Sequence, residues 1–475
     1  MIVRRIFHWA ETRPDHVALV ANGQAVSYAE FAQAIARARG FFARRGWRGQ
    51  GFAAVSIDDR LGFWVVSFAL RSLGLTTLTV YDTAALGRAG FPYVPLVAVS
   101  AIEQRLIGYD AACEAAGASV LPVILDGEAP LNLSADGGLE GGHVLQTSGT
   151  TGAYKLILIS PDMEAGLLAR RRAVADVGPD STLGVFDFNP QTGVGYKWPT
   201  SGWDVGATVV CQSGGSPSLT LSHPGLTHAW VVPTLLQTLL AEADGAYPYH
   251  PNMRLSVAGG TITQSQIDGA KARIAPHIYN SLSSTESHII AYTRLDTPDD
   301  HRWQVPAVGA QVEIVDDAGR LTAIGETGAL RIATKGAPNG YLNDPETSAA
   351  FFRDGFFYTG DLAQRRADGR FALQGRATDV INIQGHKVSP APIEDRLREA
   401  LGVTGVCLYS KQDTAGEEQL HVVIEAPAPL PMDRLVAALR AELRGFPDAR
   451  VRYVAALPRN AMSKVMRAAV TNQTA

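Results

Sequence analysis

Leu145-Gln146-Thr147-Ser148-Gly149-Thr150-Thr151-Gly152-Ala153-Tyr154-Lys155 is the stretch on which the reading of this chain turns. Hydroxyl side chains and glycines crowd together from Thr147 to Gly152, and a lysine follows at Lys155. Glycines let a backbone turn tightly and approach a ligand. Hydroxyls and exposed amides donate hydrogen bonds to anionic oxygens, and the lysine adds charge. Together they have the chemistry of a triphosphate cradle. The spacing is not that of a Walker loop, which needs G-x-x-x-x-G-K-[ST] opening a helix. Here Val144–Gln146 and Leu156–Ile159 both read as strands, so the loop belongs at the end of a hairpin. A plain Ser/Thr/Gly surface turn is the competing reading of this loop taken by itself.

Working outward, Ser27-Tyr-Ala-Glu30 has the form of a capping box, and Phe31, Ile35, Ala38 and Phe42 then recur on one helical face. Helix-like and strand-like segments alternate to about residue 330, which predicts layered α/β structure. Val403–Tyr409, Leu420–Glu425 and Val451–Leu457 read as strands and Met432–Leu443 as an amphipathic helix, a small α/β unit of its own. Gly375-Arg-Ala-Thr-Asp379 precedes that unit as the boundary. The expected fold is α/β, with a large multi-layered N-terminal domain over 1–377 and a small mobile C-terminal domain over 378–475.

Composition narrows the function classes. The chain has 475 residues, 46% apolar and 19% charged, with a formal charge of −4. That is a globular composition without the clustered basic face that nucleic acid requires. The run Arg170-Arg171-Arg172 reads as a solvated helix face. Cys113, Cys211 and Cys407 give neither a disulfide framework nor metal-ligand spacing. No apolar stretch reads as a signal peptide or a membrane span, so the expected compartment is the cytoplasm. No G-x-S-x-G elbow points to a serine hydrolase.

Five motifs in order carry a family resemblance. The loop Thr147–Gly152 is the first. Asn280-Ser-Leu-Ser-Ser-Thr285-Glu286, Tyr358-Thr-Gly-Asp361 and Gly375-Arg376-Ala-Thr-Asp379 running on to Glu394 are the next three. The last is Pro458-Arg-Asn-Ala-Met-Ser-Lys464-Val-Met-Arg467. In this order they resemble the adenylate-forming superfamily of acyl-CoA synthetases, carrier-loading adenylation domains and beetle luciferases. The resemblance covers residues 145–467 and is loose before them.

The resemblance implies ATP and Mg²⁺ as cofactors, a small carboxylic acid as substrate, and coenzyme A or a phosphopantetheinyl carrier protein as acceptor. It assigns ATP binding to Thr147, Ser148, Gly149, Thr150, Thr151, Gly152, Lys155, Ser283, Ser284 and Thr285. Glu286, with Thr150, would hold the metal, a hard cation that prefers oxygen ligands. Asp361 would accept from the ribose hydroxyls and Arg376 would present its planar donor fork to ribose or phosphate. Lys464 would bring positive charge to the reacting carboxylate and α-phosphate. Thr378 and Asp379 would form the hinge, and Gly385 would leave room for a pantetheine arm. Asp187, Thr192 and Gly193 are the acyl-pocket candidates.

Departures from the family pattern are equally specific. Leu282 stands at the adenine-stacking aromatic position and Ser283 at the glycine after it. Thr192 stands where many relatives carry a histidine. Phe186-Asp187 is similar to the Phe-Asp of amino-acid-activating domains, but its spacing to Gly206 is too long. A carboxylate–CoA ligase, a stand-alone enzyme that loads a carrier protein, and a nucleotide-binding relative that has lost catalysis all remain open, and the joint presence of Lys464, Glu286 and Asp361 speaks against the third.

Overall fold

A computed structural model describes residues 2–80, 96–99, 119–123, 128, 130, 140–148, 154–212, 216–383, 386–412, 418–444, 449–459 and 465–472. Gly149, Thr150, Thr151, Gly152, Gly385 and Lys464 lie outside these residues, and Ser148 is placed by its backbone.

Two mainly parallel sheets form the body. In the six-stranded sheet, Ser119–Pro122, Leu96–Val99, Phe52–Ser56, Thr76–Thr79 and His143–Ser148 run parallel, and Tyr154–Ile159 closes the edge antiparallel. The eight-stranded sheet runs from His288–Arg294 at one edge, through His277–Ser284, Arg254–Ala258, His228–Val231, Thr182–Val185, Thr208–Cys211 and Val17–Ala21, to Gln24–Ser27. Its two edge strands are antiparallel and the rest parallel. Helices Pro161–Ala175 and Gly193–Val205 pack on one face. Pro233–Ala241 and Gln264–Arg273 join an apolar cluster on the other, with Val231, Leu255, Val257 and Ile278 at its centre.

The capping box forms as read: Ser27 accepts from the Glu30 amide, and Glu30 returns to the Ser27 amide at 2.8 Å. Phe31, Ile35, Ala38 and Phe42 are all buried. The hairpin also forms, with Thr147 paired to Lys155 and Ser148 to Tyr154, so the residues between them join its two strands. The alternation expected as far as residue 330 gives way earlier. From Ala310 to Arg376 the chain builds an antiparallel sheet around Thr327–Thr334 and Phe356–Arg365.

The last part of the chain carries a core of its own. Strands Gly405–Gln412, Glu418–Glu425 and Arg450–Val454 pack with helices Pro390–Leu401 and Met432–Glu442 around Leu397, Leu408, Val422 and Ile424. The final strand ends at Val454, three residues short of Leu457, whose amide turns to the Glu425 carboxylate at 2.8 Å. Helix Pro390–Leu401 begins hard against Gly375. A Cβ there would stand 2.4 Å from Ser389 Oγ, and φ is +106°, so the position before Arg376 accepts only glycine.

One expectation is corrected. The arginine run is not a solvated face. Arg172 is partly exposed and pairs with Asp204 at 3.4 Å, while Arg170 donates to the Val308 carbonyl at 3.1 Å. Arg171 is buried, 4% exposed, with its guanidinium 5.1 Å from the Trp230 ring centre. Residues 100° apart on a helix face different ways, so a run of three like charges spreads over most of its circumference.

Candidate active site

Ligands of parallel sheets gather outside the carboxyl ends of the strands. Two of the sequence motifs arrive there. The phosphate-loop hairpin leaves the end of His143–Ser148, and Thr285-Glu286-Ser287 turns at the end of His277–Ser284.

Glu286 is buried and accepts a hydrogen bond from Tyr341 Oη at 3.1 Å. Tyr341 was not singled out in the sequence. It precedes helix Pro345–Phe351, where Asp344 caps by accepting from the Thr347 amide at 3.0 Å. The Asp-Pro start was the available signal. The next residue, Leu342, donates to the Leu156 carbonyl at 2.7 Å, docking this turn on the phosphate-loop hairpin. Lys155 completes the contact, its ammonium 4.8 Å from the Tyr341 ring centre and 4.1 Å from that of Phe351. Burial holds the Lys155 pKa down, Glu286 and Asp344 push it back up, and Arg376 lowers it further. Burial and the Glu286 carboxylate raise the Tyr341 phenol.

Asp361 and Arg376 face each other on adjacent strands, Nε to Oδ1 at 2.9 Å. Arg376 Nη1 also donates to the Thr359 carbonyl at 2.9 Å. Between Thr359 and Asp361 the chain passes through Gly360 at φ +77°, with Arg376 against it. The field of Arg376 reaches both Lys155 and Tyr341. Lys155, Glu286, Asp361 and Arg376, far apart in sequence, therefore share one electrostatic neighbourhood with Tyr341.

The remaining candidates divide. Ser283 and Ser284 pair with Ile289 and His288 in the hairpin that carries Glu286, and Ser284 Oγ accepts from the Ser287 amide at 2.9 Å. Leu282 packs on the small core of Ile290, Ala291 and Leu330. Gly193 lies beside Thr285, where a Cβ would be 3.1 Å from Thr285 Oγ1. Thr192 caps helix Gly193–Val205, accepting from the Gly195 amide at 3.2 Å and donating to Asn189 O at 2.7 Å. Asp187 follows the carboxyl end of strand Thr182–Val185. It pairs with Arg60 at 2.5 Å and lines a crevice with Phe186, Phe188, Val232 and Leu235. Thr378 is exposed in the short turn Ala377–Asp379, and Asp379 lies 3.9 Å from Arg467, which also holds Glu394.

Two supports behind the site escaped the sequence reading. Lys197, 1% exposed, donates to the Thr285 carbonyl at 3.0 Å and approaches His288 Nδ1 at 2.9 Å, steadying the turn that carries Glu286. Beneath the hairpin, Arg71 holds Glu164 and Glu140 at 2.7 and 2.9 Å, and Tyr196 stacks on His143 at 4.1 Å. Burial drives the His143 imidazole down to about 3 and the Glu140 carboxyl up to about 7.

A metal fits this site in one particular way. Among the described residues no group of three or more His, Cys, Asp or Glu forms a cage. Among the described residues Glu286 makes no ion pair, and its hydrogen-bond partner is the neutral hydroxyl of Tyr341. A buried carboxylate near Lys155 suits Mg²⁺, which takes one or two protein carboxylates and completes its shell with phosphate and water.

Residues 144–342 match the family described as AMP-binding enzyme. A fatty acid–acyl-carrier-protein ligase, ScoC of Streptomyces coeruleorubidus, is 27% identical over 68% of this chain and 65% of its own length. The match thus spans slightly under two thirds of that relative. The fold is shared with the amide bond synthetase McbA of Marinactinospora thermotolerans, at TM-score 0.82 and 20% identity over 100% of this chain and 99% of that one. It is shared equally with ATP-bound MatB of Rhodopseudomonas palustris, at TM-score 0.82 and 21% identity over 99% and 98%. Among the described residues no helix is long and apolar enough to cross a membrane. Five motifs in order, four of their charged residues gathered at one site and the match over residues 144–342 together make this chain similar to AMP-binding enzymes.

Proposed function

We propose that this chain activates a carboxylic acid as an acyl-adenylate and then transfers the acyl group to a thiol. The observation that carries the reading is the convergence of Lys155, Glu286, Asp361 and Arg376 around Tyr341. Asp361 and Arg376 would receive the ribose. Lys155 and the hydroxyls of Thr147 to Thr151 would take the phosphates, and Glu286 would hold Mg²⁺, which neutralises phosphate charge when bound. A carboxylate oxygen attacks the α-phosphorus, the bond to the bridging oxygen breaks, and pyrophosphate leaves with that electron pair. The nucleophile is already ionised at neutral pH, so the step needs positioning and charge neutralisation and no general base. A thiolate then attacks the acyl carbon and AMP departs.

The two attacks strike different atoms, so the unit from 378 onward would move between them about Thr378 and Asp379. Lys464 would serve the first step, and Gly385 would admit the pantetheine arm in the second. Coenzyme A is the acceptor we favour, because Pro458–Arg467 most resembles the terminal motif of acid–CoA ligases. The name of the ScoC relative favours a carrier protein as the second reading. The test is a carboxylic-acid panel with ATP and Mg²⁺, scored by pyrophosphate release and acyl-CoA accumulation. Acyl-CoA from the right acid supports the reading. Acylation only of a phosphopantetheinylated carrier selects the second, and no acid-dependent pyrophosphate rejects both.

A further inference from the structure

Strand alternation puts directly paired residues on one face of a sheet. In the eight-stranded sheet this makes neighbours of Trp230 and Ser256, and of Ser281 and Tyr292. Ser256 and Tyr292 are joined at 2.9 Å between their hydroxyls. Against this face, from helix Pro161–Ala175, comes Arg171 over Trp230, and from helix Gly193–Val205 comes Lys197. The layer between sheet and helices, where a domain ordinarily packs hydrocarbon, therefore holds two cations and several hydroxyls.

Their charges are not balanced. Among the described residues, buried Arg171 Nε and Nη1 find no hydrogen-bond partner, and neither does Ser281 Oγ. Among the described residues no carboxylate lies within ion-pair distance of Arg171 or Lys197. Burial and Arg171 make the Lys197 charge less favourable, and Glu286 offsets this from a distance. A guanidinium cannot escape by losing its proton in a protein, and burying an unpaired charge is far costlier than burying a paired one. The face is continuous with the nucleotide site: Ser281 directly precedes Leu282-Ser283-Ser284-Thr285-Glu286, and Lys197 reaches the Thr285 carbonyl at 3.0 Å.

We propose that the acid activated here is a dicarboxylic acid, whose second carboxylate is held by Arg171 and Lys197 between the sheet and its two helices. This rests on the adenylation reading and specifies its substrate. The reacting carboxylate lies by Thr285 and Gly193, and the tail runs inward over Ser281 to the guanidinium. A monocarboxylic acid of the same skeleton leaves both cations unpaired and is rejected. Sites built to pair with a substrate group discriminate against analogues lacking it far more strongly than apolar pockets discriminate by size.

The test is pyrophosphate release with linear diacids from succinate to suberate and with the three benzenedicarboxylates, each against the monoacid of the same skeleton. At least one diacid should exceed its monoacid in kcat/KM by on the order of 10²-fold or more. Arg171→Met should erase most of that advantage through KM and leave the matched monoacid equal or improved, a split that a merely structural arginine would not give. Nucleotide-induced stabilisation of the variant shows that it is folded; if it is not, the wild-type panel decides the matter. Turnover of monoacids in preference to every diacid overturns the inference and leaves adenylation standing, as does an equal loss for both acids in a folded Arg171→Met. Pyrophosphate release from no acid at all overturns adenylation and the inference with it.

Discussion

The two faces of the eight-stranded sheet are built on different principles. On one, Val231, Leu255, Val257 and Ile278 close against two helices as an apolar cluster. On the other, Trp230, Ser256, Ser281 and Tyr292 lie beneath Arg171. Adjacent residues of single strands serve the two sides: Trp230 and Val231, Ser256 and Val257. Burial alone therefore does not distinguish core from site. Hydrogen-bond satisfaction does: the first face satisfies its buried Tyr247 hydroxyl at the Leu239 carbonyl, while among the described residues the second leaves Arg171 Nε and Nη1 and Ser281 Oγ without hydrogen-bond partners.

That contrast can be broken by substitution. Leu255→Ala, on the apolar face, should lower stability by about 2–5 kcal/mol, the usual range for truncating a buried leucine. Its effect on activity should be the same for every acid, and denaturant unfolding with kinetics on two acids checks both statements. A change in acid preference would mean that the faces are not separate. Substitutions at the nucleotide end should also act on all acids alike, but on rate. Lys464→Ala should slow adenylate formation by on the order of 10²–10³, as expected for loss of one preorganised charge donor. Conversion of a supplied acyl-adenylate to thioester should stay near wild type. Comparable losses in both half-reactions would assign Lys464 to the whole cycle.

Smaller effects sharpen the picture. Tyr341→Phe removes the hydrogen bond that holds Glu286. It should weaken Mg²⁺ dependence or activity by about 10–100-fold, the range for partners of a metal ligand. A magnesium titration of pyrophosphate release reads it, and an unchanged curve would detach Tyr341 from the metal. Thr378→Pro fixes φ at the proposed hinge. Thioester formation should fall by about tenfold while adenylate formation persists, if the second step waits on rearrangement. Equal loss in both would argue against a hinge there.

The candidate nucleotide end could be proposed from the sequence because its chemistry is local. A loop of glycines and hydroxyls, Thr-Glu in a turn and Thr-Gly-Asp each keep their meaning within a few residues, and the hairpin of His143–Ser148 and Tyr154–Ile159 and the Ser27 cap formed where the sequence put them. The polar face was not legible, because its members come from six separate elements. Arg171 hid inside a run of three arginines, yet it falls on the stripe Glu164, Leu167, Leu168, Arg171, Ala175 that helix Pro161–Ala175 buries. That 3–4 residue spacing was the missed signal. Lys197 left none, since nearly every side of helix Gly193–Val205 is buried and no polar face marks its orientation. Asp187 was read from a dipeptide without its neighbours, and its pairing with Arg60 depends on a helix far earlier in the chain.

The central claim is that a carboxylate oxygen attacks the α-phosphorus. Supplying the preferred acid with ¹⁸O in its reacting carboxylate, together with ATP, Mg²⁺ and coenzyme A, tests it by mass spectrometry of the nucleotide product. The account predicts AMP carrying a single ¹⁸O atom and unlabelled pyrophosphate. Unlabelled AMP, or acid-independent formation of ADP and orthophosphate, would contradict it.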